Sequence, residues 1–510
     1  MAPMKGGLRS WKRGPGSRGV RNAISYAFNG TCDAHQHASA AVEYGTLSDR
    51  AVERFTVVDG LIAVDALDAD QLRRWIEGKE PIAGAQRGRP HCLDNADLLL
   101  DGTINFPKSY SIAALLHPEL AVEFEAIQDR MRARTIILWQ RELNARRGHG
   151  GSIREDVARL EVVELRHRRS RALDAHIHRH LWLNMKVQGV DGKWSSLDSR
   201  VAMKLHTVVN AEGELASRTD PQWVAALATH GYTLDDNGEI AQLVHVVRPF
   251  SRRSNNIEAN RTRIIAEWQN EHPGREPAAD DLQHIDARAW AQGRPGKPAH
   301  LDESEWEERV RAELAEIDPL LFWHRTPARL EQTGLADLDR DLLAQMAIAD
   351  ADARSVSSSG RFSPWDLRAG AVRAVARSGV MAGRPALGQL IDDVVQRALD
   401  DTLDLIPHDT TKPSHIKALM ASETVLLKLR VGNRLADLAA PGTVPNERQM
   451  RERWRVDTRA SGSGSTKHSW LRHPPSPVRA VWSPSSDRPD LERRRSSVSR
   501  VTPLLCNSDG

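Results

Sequence analysis

Three stretches of the chain read with a period of two. In "LLLDGTINF" (98–106), Leu98, Leu100, Ile104 and Phe106 fall on one face, and Leu99, Asp101, Thr103 and Asn105 on the other. In "ARLEVVELRH" (158–167), Glu161, Val163, Leu165 and His167 share a face. In "HIHRHLWLNMKV" (176–187), His176, His178, His180, Trp182, Asn184 and Lys186 lie opposite Ile177, Leu181, Leu183, Met185 and Val187. A period of two predicts strands, the last two joined as an antiparallel pair by "RRSRALDA". One face of the resulting sheet is apolar and expected to pack on helices. The other is polar and carries the imidazoles.

Helical spacing occupies the intervals. "DADQLRRWIEG" (68–78) has an Asp start and a Gly stop. "PKSYSIAALL" turns into a helix, with Ser109 or Ser111 available as N-cap, and Pro118 opens a long amphipathic helix ending near Gly148. After "PGREPAADD" helical patterns dominate to about residue 440. From Pro441 onward thirteen Lys/Arg face seven Asp/Glu in a Ser/Pro/Arg-rich stretch without periodicity, which predicts disorder. The expected organisation is therefore α+β: a basic flexible arm (1–20), a mixed domain (21–330), a helical extension (331–440) and a disordered basic tail (441–510).

Composition narrows the function classes. At 510 residues the chain can hold a sizeable core, and its formal net charge of +3 is too small to argue nucleic-acid binding without local clustering. Three distant cysteines, Cys32, Cys92 and Cys506, form no disulfide framework and suit a reducing cytoplasm. No stretch approaches the roughly 20 apolar residues of a membrane helix, so membrane insertion is not expected.

The chemistry concentrates in "HRRSRALDAHIHRH" (167–180). A His-x-His pair on a strand sends two imidazoles the same way, and His167 on the neighbouring strand completes a set of three with His178 and His180. The spacing permits a divalent metal site; a solvated or phosphate-binding strand is the alternative. Arg168, Arg169, Arg171 and Arg179 place cations beside these histidines, where an acidic polymer would be drawn. Asp101, on the polar face of its strand, suits orienting a ligand histidine or accepting a proton, and Lys108 at the mouth of a helix suits a phosphate contact.

These residues resemble the MobF-type (TrwC-like) conjugative relaxases of the HUH endonuclease superfamily. "HRRSRALDAHIHRH" is similar to the family's three-histidine motif, with Asp174 where the family has an acidic residue before the pair. "LDGTINFPKSYSIAALL" resembles its D-x-T-x-x-x-P-K-S-x-S segment at Asp101, Thr103, Pro107, Lys108, Ser109 and Ser111. "DGKWSSLDSR" (191–200) and "RPFSRRSNNIEANRTRIIAEWQNEHPGREP" (248–277) extend the resemblance across residues 20 to 440. It implies a five-stranded antiparallel sheet flanked by helices, and metal-dependent nicking of single-stranded DNA at an origin of transfer. The metal implied is Mg²⁺ or Mn²⁺, with Zn²⁺ also compatible. Relaxosome and coupling proteins are the implied partners.

The resemblance also implies a tyrosine nucleophile near the N-terminus, normally doubled. Here Tyr26 and Tyr44 stand in the two tyrosine positions and neither is doubled; Tyr110 is expected to pack, and Cys32, His35 and His37 lie between the candidates. No phosphate-loop motif of a helicase occurs. The same chemistry would serve a rolling-circle replication initiator. The undoubled tyrosines and unusual terminus would also fit a non-catalytic single-stranded-DNA-binding remnant of a longer relaxase.

Overall fold

The computed structural model describes residues 7–14, 19–29, 51–170, 172–292, 302–330, 332–409 and 412–439. Nine strands form one sheet among these residues: β1 (Leu8–Lys12), β2 (Val52–Val58), β3 (Leu61–Leu67), β4 (Asp97–Asn105), β5 (Asn144–Arg147), β6 (Ile153–Arg169), β7 (Ala175–Asn184), β8 (Lys186–Gly189) and β9 (Trp194–Ser196). The main order is β1-β4-β7-β6-β2-β3, with β5 and β8 against β6 and β9 against β8. Every pairing between these strands is antiparallel. The class is as expected and the sheet is wider than five strands. The extra width comes from short strands such as β5 and β9, too brief to show a period, and from β1.

That first strand corrects the reading of residues 1–20 as a flexible arm. Leu8–Lys12 pairs along β4, Arg9 opposite Asp101 and Trp11 opposite Leu99. Trp11 is buried. One aromatic among basic residues and glycines carries no alternation, so the strand is specified by its neighbour rather than by its own pattern.

Helices cover both sheet faces. α1 (Val20–Asn29) and α2 (Ala69–Ile76) enclose a core with Trp11, Val52, Leu67, Val163, Leu165 and Trp182. A capping box fixes the start of α2: the Asp68 side chain accepts from the Gln71 amide and the Gln71 side chain from that of Asp68. The histidine side of the sheet is thus not simply polar. Away from the imidazoles it is a second apolar core.

On the opposite face lie α3 (Lys108–Leu116) and α4 (Pro118–Glu142), then α5 (Ser199–Thr219) and α6 (Pro221–Thr229). α4 stops six residues before Gly148, because residues 144–147 pair with β6 as β5. Neither serine caps α3. Ser111 Oγ instead accepts from the Ile177 amide at 2.9 Å, and Ser109 Oγ from the Ile240 amide at 3.0 Å. These serines tie the helix to β7 and to residues 239–240, a long-range use that local spacing does not reveal.

The chain continues through α7 (Val244–Val247), α8 (Arg252–Glu271), α9 (Ala279–Gln292), α10 (Glu303–Ile317), α11 (Arg340–Ala353), α12 (Pro364–Ala376), α13 (Arg384–Asp400) and α14 (Ser422–Ala439), with a small hairpin of β10 (Thr402–Asp404) and β11 (Leu419–Ala421). The break expected at residue 330 is absent from the core: one apolar cluster runs from Phe55 through Trp223 and Val372 to Ala421. Across that position Arg377 Nε donates to Glu214 at 2.7 Å, and Arg373 Nη2 to the Thr207 carbonyl at 3.3 Å. Compactness divides the chain into Met1–Leu427 and Lys428–Gly510; the described residues of the second unit, 428–439, are helical. The expected disordered tail, 441–510, lies outside the described residues. None of the described helices is long and apolar enough to cross a membrane.

Candidate metal centre and nucleophile

The site is built by register. In the β6–β7 pair His167 stands opposite His178 and Leu165 opposite His180; in the β4–β7 pair Asp101 stands opposite Trp182, Thr103 opposite His180 and Asn105 opposite His178. Opposed residues share a face, so three histidines, an aspartate and a tryptophan emerge together. One ligand nitrogen from each of His167, His178 and His180 lies within 4.8 Å of the others. Ligands about 2 Å from one ion lie at most about 4 Å apart, so a small inward shift of the rings would let all three reach one ion.

Hydrogen bonds prepare the nitrogens. His180 Nδ1 meets Asp101 Oδ1 at 2.7 Å, and His178 Nδ1 meets the His176 carbonyl at 2.7 Å. Both partners only accept, so each Nδ1 carries the proton and each Nε2 keeps its lone pair. Burial pushes the His178 imidazole well below its ordinary pKa, and the neighbouring His176, His167 and His180 push the same way. His176 is lowered to about 3, first by burial and then by Lys108 and Arg253. His178 therefore stays neutral, as a metal ligand must.

Asp101 is 5% exposed and both its oxygens are engaged. Oδ2 accepts from the Trp11 indole at 3.2 Å. Between the two roles open to it from sequence, this arrangement favours orienting His180 over taking a proton.

Tyr26 comes to the same place. Its hydroxyl lies 3.3 Å from His180 Nε2, and with Nδ1 protonated that nitrogen accepts from the tyrosine O–H. The ring lies 5.5 Å from His167, 5.7 Å from His180 and 6.1 Å from Trp182, centroid to centroid. α1 achieves this by burying Ala23, Ala27 and Phe28 against the sheet. Tyr44 lies outside the described residues, as do Arg171, Cys32, His35 and His37. Tyr110 is fully buried, and burial raises its hydroxyl pKa.

The cations divide differently from expectation. Arg179 is a correction: it points from β7 to the face opposite the imidazoles and is 1% exposed, beside Glu164 at 2.9 Å, Glu125 at 2.6 Å and Asp129 at 2.5 Å. Neighbours on a strand alternate faces, so its place between His178 and His180 takes it away from them. Arg168 and Arg169 each meet Glu303 at 2.9 Å, and Arg168 also meets Glu307, so α10 supplies the counter-charges at the end of β6. Lys108 donates to the Phe250 carbonyl at 2.6 Å and pairs with buried Asp174 at 3.3 Å. Burial lowers its pKa, against the pull of Asp174.

Comparison with known proteins is decisive for the family. The family described as TrwC relaxase matches residues 37–317, more than half of the chain. The chain belongs to the TrwC relaxase family. The matched span contains Tyr44, Asp101 and all three histidines; Tyr26 precedes it. Among solved structures, the conjugative relaxase TrwC in complex with oriT DNA, metal-free, is 20% identical, covering 61% of this chain and 99% of that one with a TM-score of 0.43. A copper-bound TrwC complex is 20% identical, with coverages of 61% and 98% and a TM-score of 0.45. TrwC complexed with a 27-mer DNA comprising the recognition hairpin and the cleavage site is 19% identical, with coverages of 61% and 98% and a TM-score of 0.43. No curated protein matches the chain.

Two site residues escaped sequence reasoning. Trp11 lies in the supposed arm. Trp182 was placed on the correct face, but its packing between Trp11 and Tyr26 has no local signal.

Proposed function

We propose that this relaxase-family chain is a metal-dependent conjugative relaxase that nicks single-stranded DNA at an origin of transfer in the cytoplasm, with Tyr26 as nucleophile. The observation that carries this is the 3.3 Å approach of the Tyr26 hydroxyl to His180 Nε2 within the three-histidine cluster.

The Tyr26 oxygen attacks the scissile phosphorus, the bond from phosphorus to the 3′ oxygen breaks, and that oxygen leaves as a 3′-hydroxyl after taking up a proton. The product is a 5′-phosphotyrosine. A phenol begins near a pKa of ~10 and needs help to become a nucleophile. A divalent ion on His167, His178 and His180, Mg²⁺ or Mn²⁺ before Zn²⁺, would take the His180 Nε2 lone pair in place of the Tyr26 hydroxyl and supply Lewis-acid stabilisation of the phosphate oxygens. Asp101 holds the His180 ring, and Tyr26 is held by its contacts with Trp182 and the imidazoles. Because the ester retains the energy of the broken bond, the reverse reaction rejoins DNA without a nucleotide cofactor. Relaxosome and coupling proteins would deliver the linked strand. Tyr44 is the second tyrosine such an exchange would employ.

The test uses a library of labelled single-stranded oligonucleotides tiling the genetic element that encodes the chain, incubated with Mn²⁺ and run on a denaturing gel. A protein-linked band that disappears with chelator and with His178→Ala supports the reading. Binding without a linked band across the library contradicts it.

A further inference from the structure

We propose that Trp11 is a positioning residue for the metal centre and for Tyr26. The inference rests on the relaxase reading above and adds a component to it. Four side chains close a ring: the Trp11 indole donates to Asp101 Oδ2 at 3.2 Å, Asp101 Oδ1 holds His180 Nδ1 at 2.7 Å, His180 Nε2 lies 3.3 Å from the Tyr26 hydroxyl, and the Tyr26 ring returns to Trp11 edge-on at 5.7 Å. They come from β1, β4, β7 and α1, so the ring forms only when β1 is in register with β4. Trp182 backs two members, 5.1 Å from Trp11 and 6.1 Å from Tyr26.

A buried carboxylate with one oxygen on a histidine can rotate about its terminal torsion unless the second oxygen is also held. The Trp11 N–H removes that freedom and sets the plane in which Asp101 presents Oδ1. That plane fixes the direction of the His180 Nε2 lone pair, and hence the ligand set. The bulk of the same indole stops Tyr26 from swinging away from the cluster. An aliphatic residue at this position would fill the core without doing either.

The test compares the full-length wild type with Trp11→Phe, Asp101→Asn and the double variant. Trp11→Phe keeps an aromatic ring and removes the N–H. Mn²⁺ affinity is measured by calorimetry without DNA, and the rate of adduct formation in single turnover. We expect Trp11→Phe to weaken Mn²⁺ binding and slow adduct formation each about tenfold, within the range of ligand-orienting partners, while DNA affinity stays within twofold. The double variant should be no worse than Asp101→Asn, since both act through one carboxylate. Unchanged Mn²⁺ affinity in Trp11→Phe, or losses that multiply in the double variant, would overturn the proposal. If Trp11→Phe does not fold, the benzothienyl isostere of tryptophan, which keeps the shape and lacks the N–H, is placed at position 11 and must show the same Mn²⁺ loss. Should the wild type form no adduct, the relaxase reading fails, and the Mn²⁺ measurements still decide the role of Trp11.

Discussion

The two faces of β6 and β7 use the same residue types for opposite ends. On one, His167, His178 and His180 converge beside Tyr26. On the other, Arg179 and Glu164 are buried beneath α4, whose partly exposed Asp129 and Glu125 also pair with Arg179, and Arg132 and Arg166 also reach Glu164. The first face brings together three imidazoles and a hydroxyl that an ion and a phosphate can engage. The second consumes its charges: each cation meets an anion within hydrogen-bond distance, which leaves little for a ligand. Polarity alone does not mark a functional residue; the difference lies in whether its partner belongs to the protein.

The largest expected effect separates chemistry from structure. Tyr26→Phe removes one oxygen from the open face and should cut adduct formation by at least ~10³-fold, with the melting temperature unchanged by differential scanning calorimetry. Arg179→Ala should do the reverse. Removing one partner from a buried ionic cluster costs about 3–5 kcal/mol, measured by urea unfolding, and Mn²⁺ affinity in the surviving folded fraction should be near that of the wild type. An Arg179→Ala protein of full stability and weakened DNA binding would restore the DNA-contact reading.

His178→Ala should come next, lowering Mn²⁺ affinity and adduct yield about 100-fold with little loss of stability. pH sharpens the same contrast. His176 is lowered to about 3 and His91, His117 and His415 to about 4, in each case chiefly by burial. Unfolded, each titrates near ~6.5. The unfolded chain therefore binds more protons between these limits, and stability is present above pH ~6.5 and lost progressively as pH falls towards 3–4. Thermal melts of the metal-free protein should fall between pH 7 and pH 5; a melting temperature that rises on acidification would contradict the neutral assignment. The smallest effect is expected for Arg168→Ala, whose partners lie on α10. Its stability loss should stay under about 1 kcal/mol, and its affinity for single-stranded DNA should move less than twofold in a filter-binding assay.

This contrast also shows where the sequence was readable. The histidines were legible because β6 and β7 are adjacent in the chain and a period of two aligns them. Asp101 was legible because β4 alternates cleanly around Gly102. Tyr26 entered only through a family resemblance, since no local feature separates it from a core tyrosine. Arg179 misled because its neighbours in sequence are not its neighbours in space; two of its three acids, Asp129 and Glu125, come from α4, about fifty residues earlier. Arg168 and Arg169 at the end of β6 misled likewise, being matched by Glu303 some 135 residues later. Trp11 was invisible because a five-residue strand among glycines and arginines has no pattern of its own. In each miss, the deciding partner is distant in sequence.

The most direct test of the central claim is to trap the protein–DNA adduct, digest it, and map the modified peptide by mass spectrometry. The account predicts a nucleotide on the peptide carrying Tyr26, and none in Tyr26→Phe. Modification confined to Tyr44, or an adduct of wild-type yield in Tyr26→Phe, would contradict it.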